Sequence, residues 1–304
     1  MGIVKYRKIW YTISSLLLAA SIFSIFYFGL KLGIDFTGGS LLEIEYQTGR
    51  PEIPIIQDGL SALNFGSISL QPAGDKGLFI RSRTLTEEEH QKAISALLLT
   101  GSFNEVRFDS IGPVIGQELR QKSWMAVGLV MIMIIFYIAF AFRKVSKPVS
   151  SFKFGLMAVV ALVHDVTAPV GVFAVLGKFF DVEIDILFIT AILTVLGFSV
   201  HDTIVVFDRI RENLKRGMGK DSASPAGGFE ETIGISVNQT ITRSINTSLT
   251  VLLVLLAIFF FGGETTKYFA LALMIGVFFG TYSSIFLASP LLVTLYKFQQ
   301  RKRG

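Results

Sequence analysis

The stretch Ile184–Phe207, IDILFITAILTVLGFSVHDTIVVF, decides how the rest of the chain is read. As a helix rising about 1.5 Å per residue it is long enough to cross a hydrocarbon core of about 30 Å. It nevertheless carries His201 and Asp202 toward one end and Asp185 at the other. Ionisable groups inside an apolar helix are costly, roughly 2.5–3.5 kcal/mol on insertion scales, and count as functional candidates by default. Five further apolar blocks surround it: Ile9–Leu30, Trp124–Phe142, Phe154–Leu176, Ile241–Phe261 and Tyr268–Leu295. Each is close to the roughly 20 residues a membrane span needs.

Composition agrees with that reading. The chain has 304 residues, 51% hydrophobic and 17% charged, with a mean hydropathy of +0.59. Soluble domains carry about 25% charged residues. A soluble enzyme, a disordered scaffold and a disulfide-stapled secreted module are excluded. The absence of cysteine removes thiol catalysis, Cys-ligated zinc and iron–sulfur clusters. The basic start Lys5, Arg7, Lys8 ahead of the first block imitates a signal peptide. Its apolar stretch outruns the roughly 7–15 residues of a signal h-region, so an uncleaved first helix is expected.

The distribution of charge sets the orientation. Lys5, Arg7 and Lys8 flank the first span, and Arg143, Lys144, Lys147 and Lys153 fill the second-to-third loop. Arg209, Arg211, Lys215, Arg216 and Lys220 follow the fourth span, and Lys297, Arg301, Lys302 and Arg303 end the chain. The opposite short loops hold only Lys178 and Lys267. Both termini are therefore expected in the cytoplasm. Membrane topology accounts for the net charge of +5 with no nucleic acid.

Residues 31–123 then lie outside the cytoplasm. Their pattern predicts strand (Ser40–Tyr46), helix (Ile53–Leu63), strand (Ser67–Gln71), strand (Gly77–Arg83), helix (Thr86–Leu99) and strand (Glu105–Asp109). Thr86 and Glu89 form a capping box for the second helix. Gly74, Asp75 and Gly77 supply turn chemistry between the middle strands. The order β-α-β-β-α-β is the ferredoxin-like motif, which hosts many functions and proves none. The expected fold is a membrane α-helical protein with six transmembrane helices in a 1+5 arrangement and an extracytoplasmic α+β ferredoxin-like domain. Residues 1–30 hold the cytoplasmic start and first helix, and 124–296 the five-helix bundle with a cytoplasmic loop at 208–240. Residues 297–304 form a basic tail.

Three intramembrane polar groups stand out. His164 and Asp165 fall roughly mid-bilayer in the third span, about eleven residues in. Asp202 lies toward the cytoplasmic end of the fourth. The strongly apolar run after Asn246 is too short to span alone, so the fifth helix must draw in Ile241–Thr247. That places Arg243 at a depth similar to Asp202. Two readings stay open for Asp202 and Arg243: a pair that snorkels and fixes packing, or a carboxylate that changes protonation beside a fixed cation. Burial favours the neutral acid and a neighbouring arginine the charged form, so a motion that separates them couples proton binding to conformation. Asp165 is favoured as a relay member by its depth. His164 and His201 read as packed, hydrogen-bonded histidines, and Asp185 as an interface residue.

Sharper chemistry finds less support. The two His-Asp dipeptides lack the i, i+4 histidine spacing of a helical metal motif. An intramembrane aspartyl protease needs carboxylates sharing a proton, which an arginine beside Asp202 opposes. Gly38-Gly39 is followed by neither a Walker lysine nor a GxGxxG pattern, so no ATP site, metal or cofactor is expected. Gly276, Gly280, Ser284 and Ala288 recur every fourth residue as a close-packing face, either within the bundle or against a partner. Pro169, four residues beyond Asp165, removes the backbone donor to that acid's carbonyl. Asp208–Arg216 reads as a charged helical continuation, and Gly217–Gly228 as a flexible break.

Several stretches together resemble the SecF family, the smaller membrane subunit of the bacterial SecDF protein-export complex. They are GIDFTGG (Gly33–Gly39), SIGPVIGQELR (Ser110–Arg120), LVHD (Leu162–Asp165), GFSVHDTIVVFDRIREN (Gly197–Asn213), NQTITRS (Asn238–Ser244) and FFGTYSSIFLASPL (Phe278–Leu291). They occur in family order over nearly the whole chain, and the plan is similar to half of a resistance–nodulation–division transporter. The resemblance implies a non-enzymatic subunit of the inner (cytoplasmic) membrane, working with SecD, the SecYEG channel and a translocating preprotein. The coupling ion is the proton, driving completion of translocation after the SecA stage. The family's functional aspartate falls on Asp202 and its arginine on Arg243, with a second acidic partner on SecD. The His-Asp of the third span matches too, with a less firm role for Asp165. In the expected mechanism, protonation of Asp202 relieves its attraction to Arg243 and the shift reaches the outer domain through the first two helices. The alternatives are a proton-coupled small-molecule or lipid exporter half, and a membrane scaffold without proton chemistry.

Overall fold

A computed structural model describes residues 2–142, 150–218 and 228–301. Arg143, Lys144 and Lys147, most of the Gly217–Gly228 break including Lys220, and Lys302 and Arg303 lie outside the described residues. The first half holds α1 (Gly2–Lys5), α2 (Arg7–Phe28), α3 (Ile34–Thr37), β1 (Gly39–Tyr46), α4 (Ile53–Ser61), β2 (Ser69–Ala73), β3 (Gly77–Ser82), α5 (Glu87–Leu98) and β4 (Phe103–Ile111). The second half holds α6 (Pro113–Ala141), α7 (Ser151–Phe179), α8 (Ile186–Met218), α9 (Gly228–Phe261), α10 (Glu264–Ser283) and α11 (Ser289–Arg301). A π-helical turn, Ser284–Ala288, joins the last two.

Among the described residues, six helical stretches are long and apolar enough to cross a membrane: Arg7–Phe28, Pro113–Ala141, Phe152–Phe179, Ile186–Arg216, Gly228–Phe261 and Glu264–Arg301. They coincide with the six apolar blocks of the sequence. Two compact units form, one of Met1–Leu30, Ala126–Val182 and Leu187–Gly304, the other of Lys31–Met125 and Glu183–Ile186.

In the helical unit, α7, α8 and the α10–α11 stretch bury about half of their apolar windows, whereas α2 and α6 stay largely uncovered. Within the expected loop at 208–240, Asp208–Arg216 is the helical continuation its pattern predicted, and 228–240 is helical as well. Phe229, Ile233 and Val237 recur every fourth residue on α9 and share one buried cluster with Val206, Ile210 and Leu214 of α8. That apolar face continues both helices well past the strongly hydrophobic blocks. The small-residue stripe of α10 packs within the chain. A Cβ on Gly276 would collide with the Val195 side chain, and one on Gly280 would meet the Ser199 Cβ at 3.1 Å.

The second unit is a four-stranded antiparallel sheet in the order β2-β3-β1-β4. With α4 and α5 as crossovers, this is the ferredoxin-like arrangement. Its core is built on Ile44, Tyr46, Ile56, Leu60, Leu78 and Leu97, all essentially inaccessible. Alternation on β1 places Leu42, Ile44 and Tyr46 on the helix-covered face. The Thr86 capping box is present, with the Thr86 hydroxyl accepting from the Glu89 amide and the Glu89 carboxylate accepting from the Thr86 amide. Gly38 and Gly39 have φ of +76° and +129°. A Cβ on Gly38 would lie 2.8 Å from the Pro113 Cα, and one on Gly39 2.8 Å from the Ser82 carbonyl oxygen. The glycine pair is therefore a close backbone crossing at the start of β1.

Two outcomes follow for these units. Gly276→Ala is expected to cost on the order of 1–3 kcal/mol by overpacking, whereas Gly197→Ala, with nothing within 4 Å, costs nothing; unfolding in detergent compares them. Arg83 hydrogen-bonds Glu89 and holds its carboxyl down to about 2 from 4.5. A depressed carboxylate stabilises the fold above pH 4.5, and that contribution fades as pH falls toward 2. Arg83→Gln is expected to move the Glu89 titration, followed by NMR, up toward 4.5.

Candidate functional site

The site starts from the residues that membrane helices cannot bury unaided. Asp165 sits midway along α7, about 21 Å from either end, and is fully buried. Three groups surround its carboxylate. Ser199 Oγ on α8 donates to Oδ2 at 2.5 Å and Ser283 Oγ on α10 donates to the same oxygen at 2.6 Å. His164 Nδ1 lies 3.0 Å from Oδ1. The His164 ring packs against Phe279 and Tyr282, the packed, hydrogen-bonded histidine its sequence context suggested.

Asp202 is buried three residues beyond Ser199 on α8. Ser244 Oγ on α9 donates to Oδ1 at 2.7 Å, and Ser284 Oγ donates to Oδ2 at 2.7 Å. Two consecutive residues, Ser283 and Ser284, thus reach the two acids separately. Each of these hydroxyls also has a second acceptor on its own helix. The Gly280 carbonyl lies 3.2 Å from Ser283 Oγ, and the Thr281 carbonyl lies 3.1 Å from Ser284 Oγ. The π-turn begins at Ser284, whose carbonyl accepts from Ser289 Oγ at 2.9 Å. No hydrogen bond joins Asp165 to Asp202. Among the described residues no group of three or more His, Asp or Glu side chains is placed to hold a metal ion.

Arg243 does not pair with Asp202. Successive residues of an α-helix point about 100° apart, so the turn that aims Ser244 at the acid aims Arg243 aside. It is exposed on α9, with no hydrogen bond or ion pair among the described residues. Thr242, Asn246 and Thr247 are exposed beside it. His201 is likewise exposed rather than packed. Asp185 is half-buried in the segment Glu183–Ile186, which joins the ferredoxin-like unit. Of the small-residue stripe, Gly276 and Gly280 admit α8, Ser284 binds Asp202, and Ala288 is fully buried.

Of the acid-binding serines, the sequence singles out Ser284 alone, as a packing residue; Ser199, Ser244 and Ser283 go unmarked, although a signal for Ser244 existed. Thr232, Ser236, Thr240, Ser244 and Ser248 recur every fourth residue of α9 and are all buried. Four of them return their hydroxyls to the carbonyl four residues back, the usual resting state of such groups. Ser244 is the exception, turned toward Asp202.

One apolar helix, a ferredoxin-like domain and five further apolar helices define a multi-pass membrane protein. Residues 91–298 match the family described as protein export membrane protein SecD/SecF, C-terminal, and residues 23–49 match the SecD/SecF GG motif. The chain is 46% identical to protein translocase subunit SecF of Thermobaculum terrenum, over 97% of this chain and 93% of that one. It is 38% identical to SecF of Anaerolinea thermophila, over 96% and 93%. The crystal structure of SecDF, a translocon-associated membrane protein from Thermus thermophilus, superposes with a TM-score of 0.83 at 30% identity. That match covers 98% of this chain and 39% of the SecDF chain, so the chain spans well under half of that longer protein. The chain belongs to the SecF family of protein translocase subunits.

Removing one donor from a buried carboxylate costs about 1–3 kcal/mol. Ser244→Ala and Ser284→Ala are each expected to lower stability in detergent by that amount. Ser24→Ala on α2, whose hydroxyl donates back to the Ala20 carbonyl, is expected to stay within about 0.5 kcal/mol.

Proposed function

We propose that the chain is the SecF component of a SecD–SecF assembly that uses the proton-motive force to complete preprotein translocation through SecYEG, after the SecA- and ATP-driven stage. It is not an enzyme in this role; protons are the coupling ion and no cofactor takes part. It sits in the cytoplasmic membrane with both termini in the cytoplasm. The observation that carries the reading is the clasp at Asp202: a carboxylate at membrane depth, held by two rotatable hydroxyls.

An ionised carboxylate only accepts hydrogen bonds, whereas its protonated form must also donate one. When Asp202 takes up a proton, one of Ser244 and Ser284 has to stop donating and accept. Ser284 has the Thr281 carbonyl within reach as a new acceptor, so this exchange strands no hydroxyl. The switch occurs at the first residue of the π-turn, where the helix departs from regular geometry. Ser283 responds to Asp165 from the preceding position, which makes Asp165 the second proton site of the same relay. A proton shifts the conformational equilibrium only by its differential affinity for the two arrangements; exchange of donors for acceptors supplies that difference.

Arg243 supports a partner against α9. It lies 18 residues from Phe261, about 27 Å along the axis and within a hydrocarbon core of about 30 Å. An arginine there faces protein or water rather than lipid. A carboxylate on SecD is its counterpart, and the longer SecDF chain has room for that subunit. Asp202 and Arg243 then act across the subunit boundary, rather than as a pair within this chain.

Inverted membrane vesicles test the reading. ATP is removed once SecA has inserted a preprotein, and a proton gradient is applied. Asp202→Asn is expected to assemble with SecD yet complete no more translocation than vesicles lacking the chain. Completion at the parental rate would leave Asp202 a packing residue and the chain a scaffold.

A further inference from the structure

We propose that the cleft between the start of α2 and the end of α11 binds the phosphate of an anionic phospholipid headgroup. The two helix ends meet where Tyr11 Oη and Thr294 Oγ1 lie 2.9 Å apart. Between them opens a cleft of about 790 Å³, within the range of small-molecule sites. Arg7, Lys8, Lys297 and Arg301 line it, with Tyr11 and Gln300 adding polar groups.

Glu230 of α9 orders part of this set. Its carboxylate takes Arg7 Nη1 at 2.5 Å on one oxygen and Lys297 Nζ on the other. Four cations against that one acid leave a net charge of three. The side chains of Lys8 and Arg301 have no ion pair or hydrogen bond among the described residues and are exposed. Exposed Phe298 lines the cleft beside these cations. A charged headgroup with an apolar tail fits such an amphipathic lining.

Basic residues at helix ends are often topological signals alone. Here residues from opposite ends of the chain converge on one cleft, and a shared carboxylate pre-positions two of them. Basic pockets between transmembrane helices are the usual recognition device for anionic headgroups. The site stands on the membrane fold and does not depend on the proton reading of Asp202.

Native mass spectrometry of the full chain in detergent, titrated with phosphatidylglycerol or phosphatidylcholine, tests it. The parent is expected to retain phosphatidylglycerol over phosphatidylcholine by on the order of tenfold. Lys8→Gln/Arg301→Gln, which leaves the Glu230 bridge intact, is expected to remove the preference without lowering the melting midpoint. Lys178→Gln/Lys267→Gln, at the opposite helix ends, is expected to keep it. An unchanged preference in the cleft variant would overturn the proposal. Full displacement of the lipid by inorganic phosphate would also overturn it, assigning the cleft to a soluble anion.

Discussion

A carboxylate enclosed by membrane helices must be hydrogen-bonded, and the Ser283–Ser284 step meets that demand for two acids at once. Asp165 belongs to α7 and Asp202 to α8, while Ser244 brings in α9. Four helices are thus tied through two adjacent hydroxyls where α10 passes into the π-turn. Close approach of α10 to α8 depends on Gly276 and Gly280, since a side chain at either would hold the serines away from the acids. The small-residue stripe and the polar cluster are one construction. Glycines bring the backbones together, and serines satisfy what that approach buries.

The same construction offers its hydroxyls alternative partners. Hydroxyls rotate at little cost, and both serines have backbone acceptors within reach on their own helix. The π-turn beginning at Ser284 places irregular geometry at this point, as π-bulges frequently do at functional sites. A change at either acid is therefore felt at one peptide step. Asp202→Asn keeps nearly the same shape without an ionisable group, so its effect tests the proposed proton role rather than the packing.

Much of the fold was legible because membrane and capping constraints act locally. A span needs about 20 apolar residues wherever it occurs, and a capping box needs only Thr86 and Glu89. The order of strands and helices in residues 31–123 followed from the same short-range signals. What escaped depended on encounters between distant segments. The helical run Gly228–Thr240 has too little hydrophobicity to read as a span, and its folding follows from burial of Phe229, Ile233 and Val237 against α8. Gly38 and Gly39 match no nucleotide loop because their task is to let the backbone pass Pro113 and Ser82. Asp202 and Asp165 could be picked out by the cost of burying charge. The serines' role could not, Ser284 standing out only as part of a small-residue stripe, because a serine in a membrane helix commonly bonds its own backbone. Arg243 sits next to Ser244, which reaches Asp202, but its own direction depended on that neighbour being the one turned toward the acid.

The central claim, that Asp202 changes protonation inside its serine clasp, is open to direct observation. Infrared difference spectra of the chain with SecD in lipid, recorded across a pH titration, report the carbonyl stretch of protonated carboxyl groups. The expected result is a carboxyl band that grows as pH falls, is absent in Asp202→Asn, and shifts in Ser284→Ala as its hydrogen bonding changes. An identical set of bands in the parent and in Asp202→Asn would contradict the claim.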